Sequence, residues 1–191
     1  MSVPHELFLG EHRTGEVFSM IIRPFQGKSP TIDPTAFIAE NAVLIGDVTI
    51  GPKASIWYHC VIRGDVNRVV IGAETNVQDG TIVHAETVDG PTLIGTRVTI
   101  GHNAIVHGCL IEDECLIGMG AIILSYSKIG KGSLIAAGAL IKEHEVVPPG
   151  TIMAGIPAKS RGPVTEPMTQ RASIGCDHYL ELAEIYRKSK S

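Results

Sequence analysis

The stretch IEDECLIGMGAIILSYSKIGKGSLIAAGALIKEHEVV, residues 111–147, places an aliphatic residue at every sixth position. After short insertions, the same spacing extends over most of the chain. A period of six fits neither the 3.6-residue turn of a helix nor a long alternating strand, but it fits a short strand followed by a tight corner. Insertions follow Ile62 and Val83, and the repeat before Ile111 is one residue short. The anchors are Ile32, Ile38, Leu44, Ile50, Ile56, Ile62, Ile71, Val77, Val83, Ile94, Ile100, Val106, Ile111, Ile117, Ile123, Ile129, Ile135, Ile141, Val147 and Met153.

A second, smaller position completes each repeat, four residues after the aliphatic anchor. It is filled by Ala36, Ala42, Val48, Ala54, Cys60, Thr75, Thr81, Ala104, Cys115, Ala121, Ser127, Ser133 and Ala139. Glycine often follows the anchor directly, as at Gly72 and Gly118, where a Cβ would crowd a corner. Such units predict an all-β solenoid of stacked coils, a triangular prism with three repeats to a coil. An α/β protein with scattered strands would need helical patterns between the strands, and the repeat region has none.

Composition limits the class of protein. A chain of 191 residues with 44% hydrophobic content can bury one domain, and its net charge of −4 is spread over both signs. We therefore expect no nucleic-acid partner and no membrane association. The four cysteines have no CxxC spacing, which indicates reduced thiols in a soluble, cytoplasmic protein. They are Cys60, Cys109, Cys115 and Cys176.

Three segments divide the chain. Residues 31–158 form the repeat, and the apolar parts of residues 1–30 are expected to cap the open end of the prism. Residues 159–191 are predicted to form a linker and a C-terminal helix that packs along the prism. One face of that helix is marked by Tyr179, Leu182, Ala183 and Tyr186.

Three histidines lie at defined offsets from the anchors of neighbouring coils, two of them at the same offset as Arg63. Arg63, His84 and His107 each follow their anchor by one residue, which predicts one column with about 4.8 Å between coils. His102 follows its anchor by two residues and lies on a different face, above Asp79. Two imidazoles in one column can share a metal ion, and a neighbouring subunit of a homotrimer could add the third. Three histidines placed by chance in solvated turns are the alternative.

Three imidazoles leave the fourth tetrahedral position to water, as in catalytic zinc sites. A divalent ion lowers the pKa of that water towards ~7 and supplies a hydroxide nucleophile near neutral pH. This chemistry suits attack on carbon dioxide. Gln78 and Asp79 would approach from the side that supplies His102. Imidazole also accepts Fe²⁺ and Co²⁺, so zinc is one of three possible ions.

The repeat resembles the hexapeptide-repeat superfamily, which implies a left-handed parallel β-helix. Four motifs are more specific and resemble the γ-class carbonic anhydrases: VIRGDV (61–66), NVQDG (76–80), IVHAE (82–86) and IGHNAIVHGC (100–109). The resemblance implies reversible hydration of CO2 to bicarbonate by a homotrimer with metal sites between subunits. The zinc ligands implied in this way are His84, His102 and His107.

The same resemblance gives roles to further residues. Arg63 and Asp65 match an inter-subunit salt bridge, and Gln78 and Asp79 match residues near the metal-bound water. Tyr179, in CDHYLELA, resembles an active-site tyrosine on the C-terminal helix.

The chain departs from the family prototype after the first ligand. The prototype carries a long acidic loop there with a proton-shuttling glutamate, whereas AETVDGPTL (85–93) alone separates His84 from Ile94, and Glu86 has no clear counterpart. Proton export limits hydration, so weak activity is expected. Two other functions stay open. The GIPAK ending (155–159) also occurs in hexapeptide acyltransferases, and β-helix trimers can act as non-catalytic metal-binding or assembly proteins.

Overall fold

The computed structural model describes residues 21–189, which form β-strands and one α-helix. The elements are β1 Ile21–Arg23, β2 Thr31–Ile32, β3 Phe37–Ile38, β4 Val43–Ile50, β5 Ser55–Ile56, β6 Val61–Ile71, β7 Asn76–Val77, β8 Ile82–His84, β9 Thr92–Ile94, β10 Thr99–Ile100, β11 Ile105–His107, β12 Leu110–Ile111, β13 Leu116–Ile117, β14 Ile122–Ile123, β15 Lys128–Ile129, β16 Leu134–Ile135, β17 Leu140–Ile141, β18 Val146–Val147, β19 Thr151–Ala154, β20 Lys159–Pro163 and α1 Glu166–Ser189.

Parallel pairing stacks these strands into three faces. Face 1 is the ladder β3, β5, β7, β10, β13, β16 and β19. The long strands β4 and β6 each run along two faces, because β6 pairs with β8 through its first residues and with β9 through its last. Face 2 continues from β8 through β11, β14 and β17, and face 3 from β9 through β12, β15 and β18. The predicted all-β solenoid with a C-terminal helix is confirmed.

The anchors of successive coils lie directly above one another. Ile50 pairs with Ile71 and Ile71 with Ile94, which confirms three repeats to a coil. Every anchor from Leu44 to Ile141 is at most 3% exposed, so the core is a set of aliphatic columns. The small position is buried throughout the repeat except at Ala36, which is partly buried.

The corners admit little extra volume. A Cβ on Gly72 would lie 2.4 Å from the carbonyl oxygen of Gly95 in the next coil, as the sequence pattern predicts. The two insertions in the repeat lie at the corner between faces 2 and 3. One follows Gly64 in β6, and the other is the turn at residues 86–90 between β8 and β9. Both insertions therefore lie beside face 2.

Helix α1 runs back along face 1, where it contacts β3, β5, β7 and β10. Just before it, the Val164 amide donates to the Gly150 carbonyl at 2.7 Å, in the last coil. Near its end, Arg187 donates to the Pro34 carbonyl at 3.4 Å, in the first coil. The helix of 24 residues thus spans the stack.

Side chains on the inner surface of α1 fix it to face 1. Arg97 projects from the corner before β10 and donates to Asp177 at 2.8 Å and to Glu74 at 3.0 Å. Tyr179 and Leu182 pack against the core, and Ala183 is buried.

Both ends of the repeat differ in detail from the sequence-based expectation. Residues 1–20 of the predicted cap lie outside the described residues, and Ile21–Arg23 already pairs with β4. Within the predicted linker, Lys159–Pro163 pairs antiparallel with β19 and covers the edge of the last coil. The division into three segments remains a prediction. No helix within residues 21–189 is both long enough and apolar enough to cross a membrane.

Candidate metal centre

The register of face 2 brings two imidazoles together. Arg63 pairs with His84 across β6 and β8, and His84 pairs with His107 across β8 and β11. The expected column is therefore present. His84 Nδ1 lies 3.0 Å from His107 Nε2, and the ring centroids are 5.0 Å apart.

Asp65 holds the His84 ring from the opposite side. Its Oδ1 lies 2.9 Å from His84 Nε2, and its Oδ2 accepts a hydrogen bond from Arg63 Nη1 at 2.5 Å. Burial raises the pKa of Asp65, but the bonds from His84 and Arg63 outweigh it and bring the pKa below its usual value. Because the ionised carboxylate only accepts, the proton of the neutral His84 ring is assigned to Nε2, which leaves a lone pair on Nδ1.

Arg63 and Asp65 are two residues apart on β6, so their side chains project from the same surface and bind each other within one chain. Asp65 also lies where the first insertion begins. The salt bridge expected between subunits remains a prediction.

Ser125 and Glu86 hold the ring of His107. His107 Nδ1 lies 2.9 Å from Ser125 Oγ, and the Ser125 hydroxyl donates to Glu86 Oε2 at 3.3 Å. The Thr87 amide lowers the pKa of Glu86, and the Ser125 bond lowers it further, so Glu86 is an acceptor. The hydroxyl gives its one proton to Glu86 and accepts from His107 Nδ1, which leaves the lone pair on Nε2.

The six-residue pattern does not predict the contact of Ser125 with His107, and it assigns no role to Glu86. The register pairs Val106 with Ile123, so it points to Leu124 as the residue below His107. The contact with Ser125 comes from the corner that follows.

The facing nitrogens suit a bound cation. Two lone pairs 3.0 Å apart repel unless a proton or a cation lies between them. A tetrahedral zinc ion with Zn–N bonds of 2.0–2.1 Å separates its nitrogens by about 3.3 Å, so the pair needs only a small adjustment. Burial lowers the pKa of His107, and His84 and Arg63 lower it further, which favours the neutral imidazole that binds metals. The donor set therefore fits zinc and other ions that prefer imidazole.

His102 is oriented separately, at the corner between faces 1 and 2. The Asn103 amide donates to the Asp79 carbonyl at 2.9 Å, which stacks this corner on the one below. His102 Nδ1 then lies 2.9 Å from Asp79 Oδ2, and the His102 side chain is 36% exposed. Its Nε2 remains available for a ligand.

A single chain keeps these two groups of ligands apart. Within residues 21–189, no cluster of three or more His, Cys, Asp and Glu side chains could hold a metal ion. His84 and His107 come together on face 2, while His102 pairs with Asp79 at its corner.

Gln78 and Tyr179 lie on the side of His102 and Asp79. Both line a groove of about 420 Å³ between α1 and face 1. Gln78 is 5% exposed and donates to Asn76 Oδ1 at 3.1 Å. Burial raises the pKa of Tyr179, and the charge of Asp79 raises it further, so the phenol remains a hydrogen-bond donor at neutral pH. Contact of either side chain with substrate remains a prediction.

The chain is similar to hexapeptide-repeat proteins and to carbonic anhydrases of the gamma class. A model described as bacterial transferase hexapeptide (six repeats) matches residues 108–143. The chain is 42% identical to gamma carbonic anhydrase 2, mitochondrial, of Arabidopsis thaliana, over 97% of this chain and 69% of that protein. It is 40% identical to a carbonic anhydrase of Geobacillus kaustophilus, over 87% of this chain and 91% of the relative.

A solved structure of a hexapeptide transferase family protein from Anaplasma phagocytophilum superposes with a TM-score of 0.83 at 42% identity. The match covers 87% of this chain and 98% of that one. The fold, the column of histidines and the identity to these relatives agree. This chain belongs to the γ-class carbonic anhydrase family of hexapeptide-repeat proteins.

Proposed function

We propose that this protein catalyses the reversible hydration of CO2 to bicarbonate at a zinc ion, with Fe²⁺ or Co²⁺ as alternative ions. One observation carries the proposal: His84 Nδ1 and His107 Nε2 face each other at 3.0 Å, and the acceptors on the far nitrogens, Asp65 and Ser125, favour a lone pair on each facing nitrogen of the neutral rings. The names of the Arabidopsis and Geobacillus relatives support the same reaction.

His84, His107 and the neighbouring subunit's copy of His102 would hold the ion. When bound, a divalent ion supplies the Lewis acidity that lowers the pKa of water towards ~7. Asp65 and Asp79 fix the rings of His84 and His102 by accepting hydrogen bonds.

The remaining predicted residues would act on the substrate side. The bond from Gln78 to Asn76 holds the amide group, and its oxygen and second N–H would then orient water or CO2. The Tyr179 phenol would donate to an oxygen of the substrate or product. Asp79 would hold the His102 ring by accepting its hydrogen bond. The family resemblance also supports a position of Asp79 near the water that reacts.

A homotrimer would complete each site. The outward positions of face 2 beside the histidines are aliphatic, and Ile82 and Ile105 are 44% and 37% exposed. An exposed aliphatic ladder next to two ligands supports contact with a second copy of the chain. We propose that face 2 of one subunit meets the His102 corner of the next around a threefold axis.

We also propose a cytoplasmic location. Cys60, Cys109, Cys115 and Cys176 are unpaired and buried, as suits a reducing compartment. Immunodetection in fractionated cells would check this location, and recovery from another compartment would contradict it.

Stopped-flow measurement of CO2 hydration tests the reaction. The zinc-loaded and cobalt-loaded proteins should accelerate hydration above the buffer rate, and chelation should remove the increase. Metal bound at one ion per subunit without any increase would contradict the proposal. If a fixed protein partner then co-purified, a non-catalytic metal-binding or assembly role would be favoured.

Acyl transfer is the second candidate, since the Anaplasma neighbour is named as a member of a transferase family. Hexapeptide acyltransferases need no metal. Consumption of an acyl-coenzyme A that is unaffected by chelator would favour this function.

A further inference from the structure

We propose that Ser125 and Glu86 form a positioning relay that fixes the ring of His107 for metal binding. The inference rests on the proposed metal site and adds two residues to it. His107 Nδ1 is 2.9 Å from Ser125 Oγ, which in turn donates to Glu86 Oε2 at 3.3 Å. Neither side chain needs to touch the ion, so both act through His107.

The direction of the protons gives the relay its effect. A carboxylate cannot donate, so the Ser125 hydroxyl proton is committed to Glu86 and its oxygen accepts from His107 Nδ1–H. Without that acceptor, the His107 proton could move to Nε2, or the ring could turn. Either change removes the lone pair that faces His84.

The turn after β8 holds Glu86 in place. Its amide donates to the Gly90 carbonyl at 2.7 Å, which closes the turn at residues 86–90. The Thr87 amide donates to Glu86 Oε1 at 2.8 Å, which leaves Oε2 for Ser125. The Thr87 amide and the Ser125 hydroxyl therefore fix the two oxygens of the carboxylate relative to the histidine column.

Two glycines, Gly90 and Gly108, lie against the Glu86 side chain, and a side chain at either position would clash with it. A Cβ on Gly90 would lie 2.5 Å from Glu86 Cβ. A Cβ on Gly108 would lie 2.8 Å from Glu86 Cβ and 3.2 Å from Ser125 Oγ. Gly108 directly follows His107, so the backbone beside this ligand is shaped around the relay.

The relay gives His107 the same kind of support that the other two ligands have. Asp65 accepts from His84 and Asp79 accepts from His102, each at 2.9 Å. Glu86 is the third carboxylate, and it acts through a hydroxyl. Each imidazole thus has one nitrogen held by an acceptor and the other left for the ion.

Zinc affinity of the intact protein, measured by competition with a chromogenic chelator, tests the relay. Ser125→Ala should weaken zinc binding about 10- to 100-fold, the range typical for groups that hydrogen-bond to metal ligands. Ser125→Thr keeps the hydroxyl and should restore most of the affinity. Ser127→Ala is the matched control, because the Ser127 hydroxyl donates to the Leu124 carbonyl and not to His107.

A second pair of variants separates position from charge. Glu86→Ala should weaken zinc binding at least several-fold more than Glu143→Ala, since Glu143 affects His107 through its charge alone. In the metal-free protein, ¹⁵N spectra should show the His107 Nδ1–H tautomer in the wild type and a smaller population of it in Ser125→Ala.

The outcomes separate the relay from the reaction. Equal zinc affinity and an equal tautomer population in the wild type and Ser125→Ala would overturn the relay and leave the hydration proposal standing. If Ser125→Ala fails to fold, equal affinity in Glu86→Ala and Glu143→Ala would overturn it instead. Zinc binding that depends on Ser125, without CO2 hydration, would support the relay and contradict the proposed reaction.

Discussion

His84 Nδ1 and His107 Nε2 lie 3.0 Å apart, and a separate acceptor holds the far nitrogen of each ring. The two imidazoles are therefore fixed before any ion arrives. Little rearrangement should be needed on binding, so the affinity for an imidazole-preferring ion is expected to be high. The same pre-arrangement places two lone pairs in repulsion when the ion is removed.

Removal of the metal should lower the stability of the fold. At free zinc 1,000-fold above its Kd, binding adds about 4 kcal/mol to the free energy of unfolding. Thermal unfolding with zinc and with chelator should show this difference in the wild type and lose it in His107→Ala. His144→Ala is the control, since the exposed His144 ring stacks on Tyr126 at 4.9 Å and the substitution keeps the backbone bond from His144 to the Ser125 carbonyl. An equal response to zinc in both variants would contradict the assignment of His107.

The Asp79 carboxylate should matter through His102. An amide in Asp79→Asn can turn its N–H₂ towards His102 Nδ1 and so move the ring proton to Nε2, where it blocks metal binding. We expect zinc affinity to fall about 10- to 100-fold and CO2 hydration to fall with it. Asp89→Asn, in the turn after β8, is the matched control. Unchanged zinc affinity in Asp79→Asn would show that His102 needs no such partner.

The aliphatic ladder of face 2 should control assembly. Ile105→Glu places a charge in the proposed contact between subunits, and we expect the mass in solution to fall from about three chains of 20.4 kDa to one. Zinc binding should be lost with the trimer. Val146→Glu is the control, because Val146 is 65% exposed on face 3. Sedimentation velocity would measure both, and a trimeric Ile105→Glu protein would contradict the proposed interface.

The buried thiol of Cys60 should make stability fall at alkaline pH. Burial raises the pKa of Cys60 to about 12, whereas a thiol in the unfolded chain has a pKa of ~8.5. The unfolded chain therefore loses its proton first, and the stabilisation is complete below pH ~8.5 and declines as the pH rises towards 12. Because the thiol ionises only in the unfolded chain, raising the pH from 8 to 10 lowers the free energy of unfolding by about 2 kcal/mol for one such thiol.

Cys60→Ala should reduce that decline by the same amount. Alanine fits because it fills the same repeat position at Ala42 and Ala104. Urea unfolding at the two pH values would measure the difference. Thr81→Ala changes a buried, non-titrating residue at an equivalent position and should leave the pH dependence unaltered. A parallel decline in Cys60→Ala and the wild type would count against the shifted pKa.

Counting along the sequence was enough to predict the coils and the column. Each anchor occupies the same place in a coil, so an offset of one residue from the anchor fixes the face of Arg63, His84 and His107. The pairing of His102 with Asp79 followed in the same way, because both lie two residues after their anchors. The six-residue period therefore gives both the coil and the face on which each of these residues lies.

Contacts across corners were not predictable from that period. Ser125 reaches His107 from the turn after β14, where the register specifies backbone pairs but not the direction of a side chain. The start of α1 at Glu166 was also not predicted, because the apolar face that continues back from Tyr179 carries only Cys176, Ala172 and Met168, set among polar residues. The strand Lys159–Pro163 forms because the last coil leaves an edge for it, a requirement of tertiary structure.

Helix α1 changes how the solenoid can come apart. In a bare stack each coil touches only its neighbours, so either terminus could fray alone. Here α1 begins beside the last coil, contacts several strands of face 1 and ends beside the first coil through Arg187. Peeling either terminal coil must also detach part of α1, so the two distant ends of a one-dimensional array are joined in a single cooperative unit.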